Sequence, residues 1–178
     1  MTTLDIPELI QSGELDIYLM RPLNPLFQII MIELDEEALS EMLIYLVSFF
    51  GVLYFKTMSI PSILLAIVLL VTTLFLVEGV YLAIGSAAFW LKNSDGLRVI
   101  YWRLMGMSDY PLSIYPKSLQ IILTVIPVGL MAYYPVDTLL HPQGILKTIL
   151  TILAGPVFFT LSYIVVWKVG LKHYSSFG

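Results

Sequence analysis

The chain has 178 residues, of which 58% are hydrophobic and only 12% are charged. Soluble domains carry about 25% charged residues, so this composition and a mean hydropathy of +0.89 point to a chain that lies largely in lipid. The net charge of −4 gives no reason to expect a nucleic-acid partner, and the lack of cysteine excludes disulfides and thiolate metal sites.

The first 38 residues are predicted to form a cytoplasmic amphipathic segment. Pro7, Gly13, Pro22 and Pro25 divide it into short helices. Its first twenty residues contain four acidic side chains and no basic start, which does not match a cleavable signal peptide. Such a segment either docks a soluble partner or lies solvated at the membrane interface, and the residues alone fit both interpretations.

Residues 39–178 are predicted to form an all-α, polytopic transmembrane domain. Its four candidate spans cover approximately 39–56, 60–91, 116–136 and 147–168. Barrel strands are excluded because they alternate apolar and polar residues, whereas these stretches are apolar on every face.

Two of these spans have features that predict irregular helices. The second is too long for one perpendicular crossing, so it must tilt, project from the bilayer or break, and Gly79 and Gly85 are plausible break points. Pro127 predicts a kink in the third span, and with Gly129 it is a candidate hinge, although a static kink is the stronger interpretation.

The basic residues favour an orientation with both termini cytoplasmic, because that arrangement puts seven of the nine on the inner side. The inner seven are Arg21, Lys92, Arg98, Arg103, Lys117, Lys168 and Lys172, and the outer two are Lys56 and Lys147. The mixture of basic and aromatic side chains in residues 92–117 predicts a segment at the inner membrane interface.

No motif predicts catalysis, a metal site or a cofactor. The chain has no HExxH, P-loop, GxGxxG or GxSxG pattern. His141 and His173 each lie near the end of a predicted span, where an interfacial role is more common than a catalytic one.

Glu78 is the only charge in the longest apolar stretch. A carboxylate at that depth is costly, so Glu78 is either a pathway or gating residue or a neutral packing residue, and the sequence leaves both open.

Small residues recur at every fourth position of the same span, at Gly79, Ala83 and Ala87. They predict a stripe that another helix approaches closely. Static packing within the chain is favoured over a moving interface.

Several segments resemble the type 2 ABC-exporter permease family, in its subfamily of small bacterial membrane subunits. These are GELDIYLMRPLNPLFQ (13–28), FWLKNSDGLR (89–98), YPLSIYPKSLQIILTVIPVGLMAYYP (110–135) and GLKHYSSFG (170–178). They cover the chain in the family's order. Family members usually carry six spans, two of them before the RPLNPLFQ-like segment, so the chain looks like a permease that lacks its first two helices.

The resemblance implies a subunit of an ATP-driven exporter in the bacterial inner membrane. It would form part of the translocation pathway and pair with a second permease, identical or sister, and with two separate cytoplasmic ATPases. It implies that the ATPase-coupling segment contains Gly13, Glu14, Leu15, Asp16 and Arg21. A truncated or regulatory membrane fragment is the main alternative, and a lipid-acting membrane enzyme is less favoured because no polar constellation supports it.

Overall fold

The computed structural model describes residues 3–32, 43–44, 46–51, 54, 59–91, 95–141 and 144–175, and the regular elements in these ranges are all helical. The helices are α1 (Ile6–Ser12), α2 (Leu15–Leu19), α3 (Pro25–Ile32), α4 (Ile60–Ser86), α5 (Asp95–Met105), α6 (Lys117–Val125), α7 (Val128–Met131), α8 (Tyr133–Leu140), α9 (Ile145–Leu161) and α10 (Lys168–His173). A 3-10 turn, Ala87–Phe89, extends α4, and a π-helix, Ser162–Trp167, joins α9 to α10.

Two continuous helical runs, Ile60–Phe89 and Ile145–His173, are long and apolar enough to cross a membrane. Only 22% and 17% of their most hydrophobic stretches are buried, so most of their apolar side chains face outward. A core helix of a soluble protein would bury them, whereas lipid accommodates them. The two runs correspond to the second and fourth predicted spans.

The other two predicted spans differ in outcome. The first, 39–56, lies largely outside the described residues. The third, 116–136, is not one helix, because the chain leaves helical geometry at Ile126 and again at Ala132. Pro127, which follows Ile126, has no N–H to donate to a helical hydrogen bond. After the second interruption the chain continues as α8, with Pro135 in its first turn, where a missing backbone N–H costs nothing.

The two long runs pack side by side and parallel. Gly155 lies against Thr72, Gly79 against Phe159, and Gly170 against Phe89, so residue numbers rise together along both runs. The ends formed by Phe89 and His173 therefore lie at one end of the bundle, here called the carboxyl end. The residues between the two runs must lead the chain back from that end to the opposite end. Residues 90–144 are therefore called the returning segment.

Of the three possibilities for the overlong second span, a break at Gly79 or Gly85 does not occur, because α4 continues through both residues to Ser86. A Cβ at Gly79 would lie 2.8 Å from the Phe159 Cα, and one at Gly85 would overlap the Thr3 carbonyl oxygen. The two glycines therefore serve close backbone approach instead of interrupting the helix.

Pro156 lies inside α9 and leaves the carbonyl of Ile152, four residues earlier, without its helical partner. The Thr72 hydroxyl, on the other long helix, donates a hydrogen bond to that carbonyl at 3.0 Å. Thr72 is buried. Because lipid offers no donors, a freed carbonyl within the membrane needs such a partner. The proline and the threonine thus act as one pair across the helix interface.

We expect Thr72→Val to lower the free energy of unfolding by about 0.6–1.7 kcal/mol, the range of interhelical hydrogen bonds in membranes. In a Pro156→Ala background, Thr72→Val should lower the free energy of unfolding much less. The backbone N–H of the new alanine then donates to the Ile152 carbonyl within the helix. Detergent-micelle unfolding followed by circular dichroism measures this double-mutant cycle. Thr160→Val is the matched control, since the Thr160 hydroxyl bonds only within its own helix, to Pro156. Equal losses for Thr72→Val in both backgrounds would contradict the pairing.

Candidate functional site: the N-terminal unit at the carboxyl end

Residues 3–32, here called the N-terminal unit, pack against the carboxyl end of both long runs. Their apolar side chains form one buried cluster with Leu82 and Trp167, which belong to different runs. The members from the N-terminal unit are Ile6, Leu9, Ile10, Leu15, Leu26 and Ile29. Because each of these is less than 9% exposed, displacing the unit would expose a substantial apolar surface on both long runs.

Gly13 makes the turn between α1 and α2. Its φ of 77° lies in the left-handed region, which glycine adopts without steric cost. The turn is closed by the Ser12 hydroxyl, which accepts a bond from the Glu14 N–H at 3.3 Å. This geometry directs the fully buried Leu15 into the cluster and leaves Glu14 exposed. The family resemblance implied that these residues belong to one coupling segment. The structure gives Leu15 an anchoring position and Glu14 a surface position.

The segment RPLNPLFQ (21–28) is held by two amide side chains. Asn24 caps α3 by accepting from the Leu26 N–H at 2.9 Å, with Pro25 following it, and its amide donates to the Tyr163 hydroxyl at 3.2 Å. The Gln28 amide donates to the carbonyls of Tyr18 and Leu23, both at 3.1 Å. These bonds fix the loop before α3 and connect it to the second long run.

Thr3 begins the close contact between the N-terminal unit and α4. Thr3 is fully buried, and its carbonyl lies where a Cβ on Gly85 would be. The Glu78 side chain is half-buried beside the Thr3 hydroxyl. Both Thr3 Oγ1 and Glu78 Oε1 are buried in this contact between the N-terminal unit and α4. Glu78 therefore faces the N-terminal unit inside the protein, and its role as a pathway, gating or packing residue stays a prediction.

Arg98 connects α5 to the N-terminal unit electrostatically. Its Nη1 lies 3.8 Å from Asp5 Oδ1 and 3.6 Å from Glu8 Oε1. All three side chains keep solvent access, so each pair contributes little, about 0–1 kcal/mol. The contacts show that the start of α5, and so the start of the returning segment, lies at the carboxyl end.

The outer face of the N-terminal unit carries both charges and apolar side chains. Glu14 and Arg21 are exposed, and the Arg21 guanidinium lies 5.9 Å from the centre of the Tyr18 ring. Around them, Met20, Leu23 and Phe27 are 53–79% exposed. Such a face suits contact with another surface, protein or lipid, better than contact with water alone.

Asp16, the remaining charged residue of the predicted coupling segment, lies beside the C-terminal end of the chain. Burial, and secondarily the neighbouring Asp16 carboxylate, raise the pKa of the Tyr174 hydroxyl. The pair connects α2 to the residue that follows α10.

The predicted small-residue stripe divides in the structure. Gly79 is buried and packs against Phe159 within the same chain, whereas Ala83 and Ala87 are only half-buried. The closest helix approaches instead use Gly79, Gly85, Gly155 and Gly170. The spacing of Gly79 and Gly85 is six residues, so a search for every fourth position misses it.

The described residues contain no group of three or more histidine or acidic side chains close enough to hold a metal ion. His141 bonds Asp137 one turn earlier at 2.9 Å, and His173 bonds the Val169 carbonyl at 2.9 Å. Each histidine thus has a local helix-end role.

A family model described as "ABC-2 family transporter protein" matches residues 2–178. The chain belongs to the ABC-2 transporter family. This confirms the resemblance found in the sequence, and it makes the protein a membrane protein whose family acts as permeases in ABC transport. Comparisons with curated proteins and with solved structures give no match.

The family membership gives the N-terminal unit a context. ABC-2 permeases are transport subunits without catalysis of their own, and they normally partner with cytoplasmic ATP-binding subunits. The resemblance assigned the coupling role to residues within 13–21. It missed Gln28, which bonds the Tyr18 carbonyl in that segment, and Asn24 and Arg98, which contact other parts of the N-terminal unit. The Asn-Pro pair at 24–25 is a recognisable helix-start signal and could have identified the cap.

Proposed function

We propose that this chain is the membrane subunit of an ATP-driven exporter and that its N-terminal unit receives the movement of a separate cytoplasmic ATPase. The chain then forms part of the translocation pathway with a second permease subunit, identical or sister. The proposal includes a bacterial inner-membrane location with both termini cytoplasmic.

The observation that carries this proposal is the position of the N-terminal unit across both long runs. Its buried face contacts Leu82 of one run and Trp167 of the other, while Asn24 bonds Tyr163. A force applied to a unit anchored on two neighbouring helices moves both of them, because packed interfaces shift as units and do not deform continuously.

The exposed side chains support the same role. Glu14 and Arg21 offer opposite charges on the outer face, which provide orientation for a docking partner, and the apolar Met20 and Phe27 provide contact area. Leu15 anchors this face from inside and takes no part in docking, since it is fully buried.

The distribution of basic residues supports a cytoplasmic position for the carboxyl end. Arg98 contacts the N-terminal unit there, and Lys168 and Lys172 lie in α10 at the same end. Lys147 lies near the start of α9, at the opposite end. Cytoplasmic ends of membrane proteins carry the excess of lysine and arginine.

The test uses the chain co-reconstituted in vesicles with a candidate ABC ATPase, one with a P-loop, from the same organism. We expect Glu14→Lys and Arg21→Ala each to lower permease-dependent ATPase stimulation several-fold, because each removes an orienting charge from the docking face. Insertion and the helical circular-dichroism signal should remain at wild-type levels.

Gln11→Ala is the matched control, since Gln11 is an exposed polar residue of the same unit outside residues 13–21. Unchanged stimulation by both charge variants would remove the docking role from this face. If the wild-type chain inserts but gives no stimulation at all, the regulatory-fragment alternative replaces the exporter subunit.

A further inference from the structure

A second feature lies away from the N-terminal unit, in a cleft between the returning segment and α9. Its volume is about 630 Å³, within the range of small-molecule sites. The apolar lining is formed by Leu112, Leu130, Leu150 and Ala154. The polar lining consists of Ser113, Gln120, Thr124, Tyr133, Tyr134, Asp137, Thr138, Lys147 and Thr151.

The cleft exists because the third predicted span is broken. The interruption at Ala132 lies between Leu130 and Tyr133, which both line the cleft. Non-helical backbone at membrane depth is tolerated only where it is covered by protein or lines a polar cavity. A continuous helix from 116 to 136 would have presented lipid-facing side chains here.

The neutral polar groups of the cleft are held in place by hydrogen bonds. The Thr124 hydroxyl donates to the Gln120 carbonyl at 2.7 Å and lies 3.2 Å from the Tyr134 hydroxyl. On the facing helix, the Thr151 hydroxyl donates to the Lys147 carbonyl at 3.0 Å. The first two contacts hold the side chains of the wall that the returning segment forms. The third holds a side chain of the wall that α9 forms.

Two opposite charges line the cleft from different helices. Asp137 comes from α8, where its carboxylate bonds His141 and remains 24% exposed. Lys147 comes from the first turn of α9 and is exposed. A purely anionic ligand would be repelled by Asp137 and a purely cationic one by Lys147, so the pair selects a ligand that carries both charges.

We propose that this cleft binds the headgroup of a zwitterionic amphiphile with a phosphate and an ammonium group. Lys147 receives the phosphate, and Asp137 with the Tyr133 and Tyr134 rings receives the ammonium. The apolar chain of the ligand contacts the apolar lining of the cleft. This goes beyond ATPase coupling and stands independently of it, because binding to the cleft needs no ATPase. The same chemistry fits a transported lipid and a resident membrane lipid.

The test is native mass spectrometry of the full chain, delipidated in detergent and offered equimolar phosphatidylethanolamine and phosphatidylglycerol. We expect phosphatidylethanolamine to occupy the chain at least about five-fold more than phosphatidylglycerol, a difference of about 1 kcal/mol. Lys147→Gln should lower binding of both lipids. Asp137→Asn should reduce the preference by favouring phosphatidylglycerol, a change in selectivity that simple loss of fold does not produce.

Lys172→Gln, an exposed lysine at the carboxyl end, is the matched control and should bind as wild type does. Equal binding of the two lipids by the wild-type chain, or an equal effect of the Lys147 and Lys172 variants, would overturn the proposal. A second arm adds the ATPase and ATP to vesicles that contain labelled phosphatidylethanolamine. ATP-dependent movement that Lys147→Gln abolishes identifies the ligand as cargo, and binding without movement identifies a resident lipid.

Discussion

Gly155→Ala is expected to lower the free energy of unfolding by about 1–3 kcal/mol, the usual cost of overpacking a tight interior. A Cβ at this position would overlap the carbonyl oxygen of Thr72 on the neighbouring long helix. The obstacle is backbone, which cannot rotate away as a side chain does, so the two long helices must separate. Separation also weakens the hydrogen bond from Thr72 to Ile152.

The measurement is the unfolding midpoint in detergent micelles, followed by circular dichroism. Gly51→Ala is the matched control, because Gly51 is helical and a Cβ there would meet none of the residues that the structure describes within 4 Å. Alanine favours a helix over glycine, so the control is expected to be neutral or slightly stabilising. Equal effects of the two substitutions would show that close approach at Gly155 does not govern the stability of the bundle.

Gly85→Ala is expected to separate the N-terminal unit from the long helices while leaving them inserted. The new Cβ would overlap the Thr3 carbonyl and lie 3.3 Å from Ile6 Cβ, at the first contact of the unit with α4. Because the unit transmits movement under the proposed function, ATPase stimulation should fall by an order of magnitude or more, on the order of 1.4 kcal/mol of lost coupling.

Trp167 reports the separation directly. It is only 1% exposed because the N-terminal unit covers it, whereas Trp90 and Trp102 are exposed. In a Trp90→Phe, Trp102→Phe background, Gly85→Ala should shift the tryptophan emission to the red. Gly96→Ala is the matched control, since a Cβ on Gly96 meets open space in α5. If Gly85→Ala lowers ATPase stimulation but leaves the Trp167 emission unshifted, the defect does not come from separation of the N-terminal unit from the long helices.

The long helices could be predicted from composition because their signal is local. A run such as ILLAIVLLVTTLFLV is apolar on every face, and lipid accepts it whatever its neighbours are. The break of the third predicted span was anticipated only as a kink at Pro127. The second interruption, at Ala132, depends on how the following turn packs against α4 and α9, which no local pattern contains.

Among the candidate site residues, the sequence predicted a polar N-terminal segment but not which of its members are exposed. Leu15 and Glu14 are neighbours in the chain, yet one is fully buried and the other is on the surface. The left-handed turn at Gly13 makes that difference. Arg98 and Asp5 are more than ninety residues apart, so their pairing had no signal in spacing or periodicity.

By itself, the sequence determined that this protein lies in a membrane, that it is helical, and that it belongs with ABC-2 permeases. The first two properties follow from side-chain chemistry summed over stretches of about 20 residues, which needs no knowledge of contacts. The third rests on the resemblance of whole segments to the family. The tertiary structure alone decided that the two long helices are parallel and that their glycines serve close approach. It also decided that a threonine on one helix satisfies the carbonyl freed by a proline on the other. These are properties of pairs of residues far apart in the chain, and in lipid such pairs are fixed by packing and by the need to satisfy every backbone polar group.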